Sequence, residues 1–388
     1  MERGHGKAKA VVAAASAGTD IPGAVDRVLK LIGGIGTGAE SALIKPNVVF
    51  AIRPSSGIVT NPLVIEGIMK HLISNGLDPG NIVVGESGSM GFDTGKAFRK
   101  TGTTELCRRY GAKTLDFYGK DMVTKRVTID GRDIRIDIAK AVFDADLVVN
   151  APVIKTHFQT GISMAVKNMF GAVGFESRKT IHKYCLDEGL AHISKILPRH
   201  VTVGDATIGL QGFGPSIKGM PGKWGLVFAS KDPVAHDSAI CRLFGVDVPE
   251  HVKMAADIGA GVMDPASIEI IGEKQSMLSR KMKPPLGQFS PLDGVNAIDG
   301  GACAYCLYAV YLVLQRLATQ GVKPKRRIDI LFGRDIDESA CDPKREKILC
   351  GDCTERFKEK YGNLISGCPP KKSEIIRVVR KMIGADER

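Results

Sequence analysis

The chain has 388 residues, 44% of them hydrophobic, and a mean hydropathy of zero, enough to bury a large core and long enough to expect two domains. Its formal charge is +12, but the basic residues form no aromatic-interleaved run, so the balance argues against nucleic acid and for small anions or an acidic redox partner protein. No stretch approaches the roughly 18 apolar residues of a membrane span, and the start lacks a secretory h-region and cleavage site, so a cytoplasmic protein without membrane association is expected.

In chain order, β-branched runs at 9–14, 42–45, 81–85, 114–117, 147–150, 201–204, 226–229 and 267–271 predict strands. Between them, amphipathic patterns at 22–33, 62–75, 94–110, 159–170, 186–196, 232–243 and 249–259 predict helices, several opening on proline or a capping residue. Asp130-Gly131 sits between two alternating apolar runs over 123–138 and predicts a tight hairpin. This alternation implies an α/β fold with a mixed, mostly parallel sheet covered by helices, over residues 1–280. Three prolines and no useful periodicity mark 281–297 as a linker. Residues 298–388 have a different texture, with helices at 304–319 and 374–383 and a buried strand at 328–332, and predict a smaller α+β domain rich in cysteine.

Six of the nine cysteines fall between 303 and 368. In a reducing compartment such clustering favours metal or redox roles over disulfides. Cys303-Ala-Tyr-Cys306 and Cys350-Gly-Asp-Cys353 have the spacing that lets two thiolates converge from one turn, and Cys341 and Cys368 add candidates. Zinc is the alternative metal, but the 43 residues between the pairs far exceed the roughly 15–20 of a compact zinc ribbon. Iron–sulfur ligation is therefore expected, with four of the six cysteines holding one 4Fe–4S cluster. Cys107, Cys185 and Cys241 lie among apolar neighbours and are expected to be buried small hydrophobes.

The densest polar signal upstream is Pro152-Val-Ile-Lys155-Thr-His157, followed by Lys167-Asn168 in an apolar run and by His182. Ligands of α/β sheets bind at the carboxyl ends of strands, where these residues are expected to emerge. Lys45-Pro46-Asn47 and Gly85-Glu86-Ser87 also follow strands, Thr60-Asn61-Pro62 opens a helix, and Asp205 follows another strand. Together they predict a crevice for a small anionic substrate. Lys45, Lys155 and Lys167 would neutralise it, and His157 and His182 would handle protons. Asn47, Thr60, Asn61 and Asn168 would add contacts, with Asp205 or Glu86 orienting a histidine. Asp232 is expected to cap a helix.

The phrases KPN at 45, TNP at 60, PVIKTH and AVKNMFG within 152–171, GDA at 204 and DPVAHD at 232 resemble the family named for domain of unknown function 362, over roughly residues 40–275. The tail, with ACAYC at 302–306, GDCT at 351–354 and GCPP at 367–370, is similar to an iron–sulfur region attached to many members. That resemblance implies Cys303, Cys306, Cys353 and Cys368 as the ligands and leaves Cys341 and Cys350 in reserve. The series His157, Lys167, His182 is more faintly similar to the nickel-pincer lactate racemase superfamily, from which no nickel cofactor is carried over. The expected function is an iron–sulfur oxidoreductase acting on a small anion. The alternatives are a non-catalytic electron carrier or accessory cluster protein, and a racemase-like enzyme moving a proton or hydride.

Overall fold

The computed structural model describes residues 9–89, 92–119, 121–217, 219–283, 292–302 and 304–385. The chain divides into two compact units, Met1–Pro285 and Leu286–Arg388.

The first unit contains β1 (Ala10–Ser16), β2 (Ala42–Pro46), β3 (Ile82–Glu86), β4 (Lys113–Asp116), β5 (Met122–Ile129), β6 (Arg132–Ala139), β7 (Leu147–Ala151), β8 (Val153–His157), β9 (Gly161–Ser163), β10 (Val201–Gln211), β11 (Met220–Gly222), β12 (Leu226–Ser230) and β13 (Ile268–Gly272). The main sheet runs β13-β1-β12-β10-β7-β2-β3-β4, with β11, β8 and β9 attached through β10. The β10-β7-β2-β3-β4 part is parallel, and β12 is antiparallel to both its neighbours. Alternation along each strand explains the layering. Ala42, Ile44, Val149, Ala151, Val227 and Ala229 pack into the core on one face, beneath the helices Ile21–Leu31 and Pro62–Ser74. Leu43 and Val148 turn to a core on the other face, as do Leu226 and Phe228 to a further one. Burial of each valine, leucine, isoleucine or phenylalanine among them contributes about 1.5–3 kcal/mol, and of each alanine less. Cys107, Cys185 and Cys241 are buried among these apolar residues, as expected.

β5 and β6 form the expected hairpin, turning at Asp130 (φ 49°) and Gly131 (φ 73°). Two expectations need correction. The helix at 94–110 is two helices, Thr94–Thr101 and Thr103–Tyr110, broken at Gly102 (φ 84°). The segment 159–170 is not one helix: β9 pairs antiparallel with β8, and a short helix, Ala165–Asn168, follows. The cause is tertiary, because the Asp237 carboxylate accepts hydrogen bonds from Ala165 N (2.8 Å) and Val166 N (2.9 Å) and so fixes where that helix starts.

The second unit has β14 (Val295–Gly300), β15 (Ile328–Gly333), β16 (Glu346–Cys350) and β17 (Leu364–Ile365), all parallel and in that order. Helices Ala304–Thr319 and Lys372–Met382 cover one face. The run expected to be a linker thus ends in β14.

Candidate functional site

In the first unit the polar residues gather where β2, β3 and β7 end. Lys45, the fourth residue of β2, is fully buried and reaches Glu86, the last residue of β3, at 2.6 Å. Glu86 also accepts from Val48 N (3.2 Å) and Ser87 N (2.9 Å). Gly171 passes directly over this pair. A Cβ there would lie 2.1 Å from Glu86 Oε1 and 2.5 Å from Lys45 Nζ, so any side chain at this position would have to displace the buried pair.

An amide chain extends from the pair. Asn168 Oδ1 accepts from Asn47 Nδ2 (2.8 Å) and Lys45 Nζ (3.4 Å), and Asn168 Nδ2 donates to Asn150 Oδ1 (2.7 Å). Lys155 Nζ donates to Asn47 Oδ1 (2.6 Å) and to the Ile58 carbonyl (2.7 Å), both neutral acceptors. Thr60 Oγ1 links Asn47 N (2.8 Å) to the Ala151 carbonyl (2.8 Å). Asn61 caps its helix by accepting from Leu63 N (3.0 Å), while its own N–H donates to Asp205 Oδ2 (2.7 Å). The Asp205 carboxylate therefore holds the cap residue of this helix. Burial raises the Asp205 carboxyl to about 6 against hydrogen bonds from Thr207 and Asn61.

The basic groups lie deeper than a surface crevice would place them. Lys155 is 3% exposed and Lys167 8%. Desolvation, reinforced by Lys167 and Lys45 and opposed by Glu86, brings the Lys155 ammonium down to about 7. Desolvation, opposed by Asp187 and reinforced by Arg178, brings Lys167 to about 8. Lys167 Nζ stands 5.4 Å from the centroid of the Phe170 ring. Arg178, also buried, donates to Val173 O (2.7 Å), to Gly88 O (3.3 Å) and to the Ser87 hydroxyl, and its guanidinium lies over Tyr118.

His157 ends β8, and its Nδ1 accepts from Gln159 N and Thr160 N, both at 3.3 Å. The neutral ring therefore carries its proton on Nε2. Burial, then the charges of Lys167, Lys155, His182 and His251, hold its pKa well below the ordinary value. His182 meets the Phe170 ring edge-on at 5.1 Å, and burial together with Lys167 and Arg178 pushes it to about 3. The structure thus brings together Lys45, Asn47, Thr60, Glu86, Lys155 and Asn168 in one network. Lys155, His157, Lys167 and His182 meet in one electrostatic group. Among the described residues neither Glu86 nor Asp205 orients a histidine; Glu86 is taken by Lys45, and Asp205 by Asn61 and Thr207. Asn150, Arg178, Asp187 and His251 were not anticipated. Helical spacing offered a weak signal for Arg178, one turn before His182 on the same helix, and none for Asp187, which lies in the first turn of the next helix.

In the second unit the cysteines sort by strand end. Cys353 and Cys368 each stand three residues beyond the carboxyl end of a strand, β16 and β17, and Cys306 lies in the first turn of the helix after β14. Asp352 N donates to Gly367 O (3.2 Å), and Gly367 N donates to Asp352 Oδ1 (2.6 Å), which ties the Cys353 and Cys368 turns together. Gly351 (φ 99°) faces Cys306, whose Sγ would lie 3.1 Å from a Cβ at that position. Cys303 lies outside the described residues. Cys341 is at the opposite end, since Asp342 N donates to Asp329 near the start of β15 (3.0 Å). Cys350 points into the apolar core, where burial pushes its thiol up to about 12. Among the described residues no three His, Cys, Asp or Glu side chains are gathered tightly enough to hold a metal ion.

No described helix is long and apolar enough to cross a membrane. The thylakoid-associated protein sll1697 of Synechocystis sp. is 27% identical over 254 residues, covering 63% of this chain and 75% of that one. Among solved structures, a Thermotoga maritima protein aligns with 13% identity and a TM-score of 0.41 over 80% of this chain and 70% of that one. The lactate racemase apoprotein from Thermoanaerobacterium thermosaccharolyticum aligns with 12% identity and a TM-score of 0.41 over 98% and 82%. The family model described as a domain of unknown function, DUF362, matches residues 42–242, and the chain belongs to that family.

Proposed function

We propose that this chain is a cytoplasmic iron–sulfur enzyme. Its α/β unit binds a small anionic substrate among Lys155, Lys167, His157 and His182. A 4Fe–4S cluster is carried by Cys303, Cys306, Cys353 and Cys368. The observation that supports the anion site is a surplus of buried positive charge. Lys45 is balanced by Glu86, but Lys155 and Arg178 donate only to neutral acceptors among the hydrogen bonds described, and Lys167 is opposed by Asp187, which is partly exposed. Buried cations without matched anions are costly, and an incoming anion relieves that cost. The lysines bind and orient the ligand, His157 donates from Nε2, and the amide network holds Lys155 in place. The cluster, when bound, supplies one-electron chemistry.

Replacing Lys167 by Met is expected to abolish retention of a small anion such as phosphate, and any turnover, while leaving the cluster's visible absorption intact. Undiminished binding in that variant would defeat the site assignment. Anaerobic purification with iron, sulfide and zinc quantification tests the cluster, and zinc without iron or sulfide would replace it with a structural metal.

A further inference from the structure

His251 belongs to the helix Glu250–Asp257, which packs against the helix Leu186–Ile196 carrying Asp187. Its side chain is almost wholly buried, and its helix also packs against Ala165–Asn168, which carries Lys167. His251 Nδ1 lies 3.3 Å from Asp187 Oδ1, within ion-pair reach although not aligned as a hydrogen bond, and Nε2 is buried with no hydrogen-bond partner. A buried imidazole nitrogen in that condition is costly unless something meets it.

The other two imidazoles are poorly suited to accept a proton from a ligand. His157 has Nδ1 occupied by two backbone N–H groups and offers only an Nε2 donor. His182 sits between Lys167, Arg178 and the Phe170 ring, where a second positive charge is strongly disfavoured. His251 differs, because the negative charge of Asp187 beside its Nδ1 favours the ring proton on that side and leaves the Nε2 lone pair available.

We propose that His251, held by Asp187, is the proton acceptor of this site. The proposal rests on the anion-site reading above. In the step itself an X–H bond of the bound anion breaks, its electron pair stays on X, and an N–H bond forms at His251 Nε2. The resulting imidazolium is matched by Asp187, and the charge left on the ligand is matched by Lys155 and Lys167.

The test is a long-range proton–nitrogen correlation spectrum of the full chain labelled with nitrogen-15 histidine, at neutral pH. His251, identified by the signals lost in His251→Gln, should show a protonated Nδ1 and a lone-pair Nε2, and His157 the opposite tautomer. Asp187→Asn should shift His251 toward protonation at Nε2, a change that a merely structural role would not produce. Phosphate added to the wild type should move the His251 Nε2 resonance, and Lys167→Met should lose that response while keeping the tautomer. A His251 protonated at Nε2 in the wild type, or a tautomer indifferent to Asp187→Asn, overturns the proposal. The expected tautomers with no phosphate response in the wild type support the His251–Asp187 arrangement and count against the anion reading instead.

Discussion

Lys45 and Glu86 meet at 2.6 Å with both side chains wholly out of solvent, joining the ends of two adjacent parallel strands. Such a pair gains little over an apolar one, but breaking it leaves a buried charge without its partner. Glu86→Gln should therefore cost about 3–5 kcal/mol, seen as a lowered urea midpoint with an unchanged slope. A midpoint within error of the wild type would show that Lys45 finds another route to neutrality.

Lys155 should make stability depend on pH in a direction opposite to an ordinary surface ion pair. Its folded pKa, about 7, is below the ordinary lysine value of 10.5. Between those values the unfolded chain binds more protons than the native one, so this group's contribution to stability rises with pH from about 7 to about 10.5. Below 7 both states are protonated and the burial penalty is fully present. Each unit of separation corresponds to about 1.4 kcal/mol. The stability difference between the wild type and Lys155→Met, measured by denaturation from pH 6 to 10, should therefore narrow or reverse as pH rises. Anion binding should run the other way, weakening as Lys155 and Lys167 lose protons above about 7 and 8. A flat difference curve would mean that Lys155 stays charged throughout.

Most of the fold was legible because its strands are short apolar runs whose alternate residues enter different cores, as Ala42, Leu43 and Ile44 do in β2. What was not legible depended on distant partners. β8 is a strand because it pairs with β9 and β10, and the helix bearing Lys167 begins where Asp237 reaches back 72 positions. The site was legible as a set of residues following strands, and less so in its internal bookkeeping. No local pattern showed that Lys45 would spend its charge on Glu86, that Asn61 would meet Asp205, or that Asp187 and His251 would face each other.

Cysteine substitutions should separate along the direction of the second sheet. The strands β14 to β17 are parallel, and Cys306, Cys353 and Cys368 all lie beyond or beside their carboxyl ends. Cys341 precedes β16 at the amino end. At about 3.3 Å per residue, the five-residue strand puts roughly 13 Å between Cys341 and that group, too far for a shared cluster. Cys350 is nearer but faces the core formed by Ile330, Phe332 and Leu314, where a thiolate is disfavoured. Serine at 303, 306, 353 or 368 should each remove most of the iron and sulfide from anaerobically purified protein. Cys341→Ser should retain both. Cys350→Ala should retain them with a loss of stability of about 1 kcal/mol, the scale of a small deletion from a packed core. Full iron content in Cys353→Ser together with its loss in Cys341→Ser would place the ligands at the wrong end of the sheet and undo the assignment.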